Sequence, residues 1–189
     1  YHSAEAYIGR LIAKGYKIAI CEQLEDPALA KGLVTRDVIR IISPGTVTDS
    51  SMLEENRSNY IAAVYLDAGA GAVCFADITT GEFCVSGFDK LASAHVMNEL
   101  ARFAPREAVL SAGAAENRDI CDFLTGKLGA LLEQGGEKFD YMTASMRLCE
   151  QFGKQSVDDF ALGGANAPVC AAGALLAYLE ETQKFDLSH

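Results

Sequence analysis

The densest run of groups able to ligate a metal or exchange a proton lies in GYKIAICEQLEDPALAKG, residues 15–32, where Cys21, Glu22, Gln23, Glu25 and Asp26 crowd together. A metal centre needs ligands that converge. On a strand, Cys21 and Gln23 face one side and Glu22 the other. Glu25 and Asp26 then fall at a helix start, where negative charge is favourable for dipole reasons alone, and no histidine is near. Asp67 and Asp77 are a second carboxylate pair, of the type that holds Mg²⁺ for two-metal hydrolysis. Such a site needs further acids to converge on it, and Asp119, Asp122 and Asp159 are the candidates. His2, His95 and His189 lie far apart, and no Ser-His-Asp or Cys-His arrangement is visible. AGAGAV is followed by a strand pattern rather than a helix, LGGANAP is a helix entry that could accept an anion, and G-x-x-x-x-G-K-[ST] is absent. The set with the clearest physical purpose is basic. Arg10 and Lys14 share a helix face, Arg36 and Arg40 share a strand face, and Lys31 closes a short helix between them. These are candidates for contact with a phosphate backbone.

The elements that must position these groups can be read in order. Ser3 is placed to cap a helix running to about Lys14, with Ala4, Tyr7, Ile8, Leu11 and Ile12 as its apolar stripe and Gly15 as its terminator. YKIAIC reads as a buried strand, Asp26-Pro27 as a helix start closed by Gly32, and VTRDVIRIISPGT as a strand ended by the Pro44-Gly45 turn. Residues 46–57 are polar and lack a period, so the chain divides into a first part (1–46), a linker (47–57) and a second part (58–189).

In the second part NYIAAVYLD, AVCFADI and FCVSGF form a three-stranded meander. A helix capped by Asp89 follows, then the strand EAVLSA, the helix ENRDICDFLTGKLG, the ambiguous run ALLEQ and the helix TASMRLCEQFG with Thr143 as its cap. The longest helix, 167–183, follows Asn166 and carries the stripe Val169, Ala172, Leu175, Leu176 and Leu179. This order predicts an α/β fold: a partial mixed α/β unit, then a ribonuclease-H-like domain with a mixed sheet flanked by helices. That fold keeps a metal-dependent nuclease built on Asp67 and Asp77 open as one alternative.

Half of the 189 residues are hydrophobic and 22% are charged, enough for a packed core. No apolar run approaches the ~18–20 residues of a membrane span, and no signal peptide is visible at the start. Six scattered cysteines form no C-x-x-C and read as small buried hydrophobes in a reducing compartment. The net charge of −10 is uneven. Residues 1–50 hold six basic and six acidic side chains, and the whole excess lies beyond them. The second part therefore reads as no general nucleic-acid binder, since phosphate contact needs clustered Lys and Arg. An acidic protein-binding adaptor is the other alternative.

YH at the start, GYKIAICEQ, DPALAKGLV, R-x-V-x-R and SPGT together resemble the later part of the mismatch-recognition domain of the MutS family of bacterial DNA mismatch repair proteins. ADITTGEF, QFG, NAP and AAGALLAYLEETQK resemble its connector domain. The resemblance implies a piece of a longer, bacterial, cytoplasmic homodimer that binds mispaired duplex DNA, uses ATP and Mg, and recruits MutL. The family's Phe-x-Glu wedge and its ATPase are not in this sequence, so the piece itself is expected to be no enzyme and to bind no cofactor. Carried over by motif, Tyr1, His2, Arg10, Lys31, Arg36 and Arg40 are implied to contact DNA without reading bases. Arg147 and Glu150, in the helix before QFG, are implied to face MutL.

Overall fold

A computed structural model gives the architecture and describes residues 2–24, 34–53, 58–162 and 165–183. The first part contains α1 (His2–Ile12), β1 (Ile18–Gln23) and β2 (Arg36–Ile42). β1 and β2 pair antiparallel, from Ile18 opposite Ile42 to Gln23 opposite Arg36, with a bulge between Ile20 and Cys21. Gly15 ends the α1 turn at φ 79°, a value that suits glycine. α1 is already helical at His2, so Ser3 lies inside it rather than capping it. β1 differs from the buried strand expected: it pairs only with β2 and is mostly exposed, Cys21 included. The short helix expected between Asp26 and Gly32 lies outside the described residues.

The second part is a five-stranded sheet in the order β5-β4-β3-β6-β7. β3 (Ile61–Asp67), β4 (Ala70–Asp77) and β5 (Glu82–Phe88) form the antiparallel meander. β6 (Glu107–Leu110) and β7 (Leu131–Gln134) run parallel to β3. Between them come α2 (Ala92–Phe103), α3 (Ala112–Glu116) and α4 (Arg118–Asp122); after them come α5 (Tyr141–Phe152) and α6 (Asn166–Gln183). This is the mixed α/β sheet flanked by helices that the element order predicts. Strand alternation divides the core in two. Ile61, Ala63, Cys74 and Val109 pack against α5 and α6. Ala62, Val64, Phe75 and Leu110 pack against α2 and α4. Among the described residues no helix is long and apolar enough to cross a membrane.

Several local details differ from the sequence expectation. α2 begins after Leu91, at φ 49° and without a side-chain cap, which leaves Asp89 too far back to reach the helix N–H groups. The predicted 116–129 helix is broken. Asn117 caps α4 through Ile120 N at 3.2 Å, and a wide π turn over Phe123–Lys127 closes with Leu128 N donating to Phe123 O at 3.1 Å. ALLEQ contains a parallel edge strand, β7. α5 is capped by Asp140, not Thr143. The Asp140 carboxylate accepts from both the Thr143 N–H and its hydroxyl, each at 2.9 Å. α6 is buried without a break from Ala167 to Leu179 rather than along one stripe, because the sheet, α5 and the first part each cover a face.

Candidate nucleic-acid interface

The candidate basic residues lie in the first part. Arg10 is exposed on α1 and lies over the Tyr7 ring with 5.9 Å to its centroid, while Lys14 is exposed in the turn after the helix, which ends at Ile12 before the expected Lys14. The shared strand face expected for Arg36 and Arg40 is not kept: Val38 pairs with Cys21 and Arg40 with Ile20, so Ile39 is an extra residue in β2 and the bulge breaks the alternation between the two arginines. Arg36 is exposed at the hairpin's far end, paired with Gln23. Arg40 is half-buried and donates to Thr48 Oγ1 at 2.9 Å, so part of its donor set is spent on the chain following the strand. The seven residues from Arg36 to Ile42 span roughly 20 Å. The basic groups therefore lie spread over α1, the turn after it and β2 rather than in a cluster. His2 opens α1, while Tyr1 and Lys31 lie outside the described residues.

The carboxylates do not converge. Asp67 pairs with Ala70 at one end of the β3–β4 ladder, and Asp77 lies past the Ile61–Ala76 pair at the other. Asp77 is buried and fully occupied: it accepts from Asn59 N at 2.9 Å, Thr79 N at 2.9 Å and Thr79 Oγ1 at 2.6 Å. It closes a turn. Asp159 caps its own 3₁₀ turn at Ser156. Among the described residues no group of three or more His, Cys, Asp or Glu could hold a metal. A crevice of about 1150 Å³ opens at the carboxyl ends of β3 and β6, lined by Tyr65, Asp67, Ser111 and Asp140 with no Lys or Arg, so a phosphate backbone finds no counter-charge there. Burial pushes the thiols of Cys74, Cys84, Cys121 and Cys170 up.

Between the two parts lies a polar joint that sequence reasoning missed. Glu107, the first residue of β6, is wholly buried. Its Oε2 accepts from the Ser43 hydroxyl and from Gly45 N at 3.0 Å. Its Oε1 accepts from the Tyr178 hydroxyl on α6 and lies 3.7 Å from Lys17 Nζ. Lys17 also pairs with Glu133 on β7 and sits 4.8 Å from the centroid of the Tyr178 ring. Ser43 and Thr46 tie the SPGT turn to itself, hydroxyl to hydroxyl at 2.8 Å and Thr46 N to Ser43 O at 3.1 Å. Burial, then the Glu107 charge and hydrogen bond, push the Tyr178 hydroxyl far above the ordinary phenol range, so it remains a donor. Burial lowers Lys17, with Glu107 opposing the shift. The available sequence signals were SPGT itself and an acid opening an otherwise apolar strand.

On α5, Arg147 is half-buried and bridges to Glu180 of α6 at 2.9 Å, whereas Glu150 is exposed. Met142 and Met146 stand exposed on the same helix.

The chain is thus a two-part α/β protein, a small unit of zero net charge keyed into an acidic mixed-sheet domain. Comparison with known families agrees with it. Residues 1–51 match the model for MutS domain I, and residues 59–189 match that for MutS domain II. The chain is 42% identical to the DNA mismatch repair protein MutS of Acetivibrio thermocellus, covering 100% of this chain and 22% of that protein. It is 41% identical to the MutS of Desulfosudis oleivorans, over 99% of this chain and 21% of that protein. A Clostridium botulinum MutS is 45% identical over 100% of the chain and 20% of its own length. The chain belongs to the MutS family of DNA mismatch repair proteins and spans about a fifth of the length of these relatives.

Proposed function

We propose that the chain supplies the DNA-backbone contacts and the connector of a MutS-type protein that binds mispaired duplex DNA. The observation that carries this reading is the exposure of Arg10 on α1 and Arg36 on β2, in a first part tied to an acidic domain through the buried joint at Glu107. Arg10 and Arg36 are the side chains free to meet phosphates, with Tyr1, His2, Lys31 and Arg40 as further contacts on the strength of their motif positions. None of them reads a base edge, so sequence and mismatch preference arise elsewhere.

The sequence holds no G-x-x-x-x-G-K-[ST] loop of the kind that cradles nucleotide phosphates. The ATP- and Mg-dependent part of the cycle is assigned to the portions of the relatives beyond the matched fifth, as is homodimer formation. The α5 surface around Glu150 and Arg147 is the proposed seat of MutL. The cytoplasm is the compartment this reading requires, because chromosomal DNA is the substrate.

The test is duplex binding across a salt series. Arg10→Ala and Arg36→Ala are each expected to weaken binding to matched and mismatched duplexes alike, and to lower the slope of log affinity against log salt by about one. An unchanged affinity and slope in both variants would overturn the reading. For MutL, Glu150→Lys is expected to reduce capture of MutL by the chain; equal capture would remove α5 from the proposal.

A further inference from the structure

We propose that Glu107 is a positioning residue: a latch that holds the 43–46 turn, the Lys17 stem and α6 in one geometry, so that a load on the β1–β2 hairpin reaches the last turns of α6. This inference rests on the functional reading above.

Four observations carry it. First, the contact between the two parts is narrow. Among the described residues before 50, those buried are Ile12, Ser43, Gly45, Thr46 and Val47, and four of the five belong to the SPGTV turn. Second, the centre of that contact is a carboxylate rather than an apolar side chain. A purely stabilising joint gains nothing from a buried charge, because well-packed apolar replacements of buried ion pairs are often neutral or better. A fully partnered buried polar network instead selects one arrangement of the groups around it. Third, the two oxygens divide their partners: Oε2 serves the turn, while Oε1 serves Tyr178 on α6 and lies nearest Lys17. One side chain thus joins three segments that are distant in sequence. Fourth, Gly45 is not among the positive-φ glycines, so backbone freedom does not explain it. A Cβ there would lie 2.9 Å from Glu107 Cβ and 3.0 Å from Glu107 Oε2. Glycine at this position makes room for the latch.

The test uses a full-length MutS protein carrying this segment and two conservative variants, Glu107→Gln and Tyr178→Phe. Hydrogen exchange is followed at the amides of 43–47 and 178–183, with and without duplex DNA, alongside melting and duplex affinity. In the parent protein, duplex binding is expected to slow exchange at 178–183 at least threefold. In both variants duplex affinity stays within twofold, free-state exchange at Gly45 and Thr46 rises at least tenfold, amides of β4 are unchanged, and the DNA response at 178–183 disappears. Ser43→Ala combined with Tyr178→Phe is expected to be no worse than Tyr178→Phe alone, as opening one latch twice requires.

Unchanged exchange at 43–47, or an undiminished DNA response at 178–183 in folded variants, would overturn the latch. So would a loss of melting temperature with exchange raised evenly across β4 as well, which marks general destabilisation. Tyr178→Phe keeps the test decisive should Glu107→Gln fail to fold, since it removes only one hydroxyl. Absence of duplex binding by the parent protein overturns the functional reading instead, and exchange at 43–47 then decides the latch by itself.

Discussion

Asp77 illustrates how a residue with catalytic credentials becomes structural. Its oxygens are taken by Asn59 N, Thr79 N and Thr79 Oγ1, and it is buried at the end of β4 away from Asp67. Asp77→Ala strands two backbone N–H groups, so it is expected to cost about 1–3 kcal/mol in denaturant unfolding. It should alter no Mg²⁺-dependent cleavage; a cleavage activity that vanished with it would restore the nuclease alternative. Gly45→Ala is expected to cost a further ~1–3 kcal/mol by overpacking against Glu107 and Ile61, measured the same way. Both roles were half legible in the sequence. The acid was visible, but its partners were not, because Asn59 comes from a different strand approach. Pro44-Gly45 was visible as a turn, but the reason for its glycine lies sixty residues on, at Glu107. Cys21 shows the opposite failure: an apolar run suggested burial, whereas pairing with β2 alone leaves it exposed.

Among the elements, the meander and β6 were readable because short apolar runs and turn glycines are local signals, whereas ALLEQ, which holds β7, stayed ambiguous. The breaks were not. Nothing local announces that the 116–129 helix gives way to a π turn, or that α5 takes its cap from Asp140 ahead of the expected Thr143. Asp140 also makes a pH prediction. Hydrogen bonds from Thr143 N and then its hydroxyl lower the Asp140 pKa below its ordinary value. Its contribution is therefore present above the ordinary carboxylate pKa and is lost as pH falls through the depressed folded value. Asp140→Asn is expected to flatten the acid side of the stability–pH profile, followed by thermal melting from neutral to acid pH; an unchanged acid limb would show that the cap acts without its charge. α6 meets α5 at Gly173, where a Cβ would lie 2.3 Å from Ala144 Cβ and 2.5 Å from Ala144 Cα. Gly173→Ala is expected to lower the melting temperature by separating the helices. Adding Ala144→Gly should not restore it, because the Cα clash remains.

For the molecule as a whole, the fold class and the division into a neutral first part and an acidic second part were legible from element order and charge. The relation between the parts was not, because it depends on Lys17, Ser43, Gly45, Glu107 and Tyr178, whose sequence separations carry no periodicity. The charge division makes the sign of long-range forces predictable: the acidic domain repels a duplex and the neutral first part, with Arg10 and Arg36 exposed, does not, which favours one approach direction. Raising salt should weaken both effects together.

The SPGT joint has a calorimetric consequence. Heat capacity on opening scales with the apolar surface exposed and is reduced by polar surface. Among the described residues, the buried ones the first part brings to this joint are Ser43, Gly45 and Thr46 against the Glu107 carboxylate, with Ile12 and Val47 apolar and the β2 isoleucines only half-buried. Lifting the hairpin off the connector should therefore absorb little extra heat capacity and show a shallow denaturant slope. The two-sided sheet core should melt with the steep dependence of an apolar interior. Temperature and denaturant act strongly on one half of this molecule and weakly on the seam that orients the other.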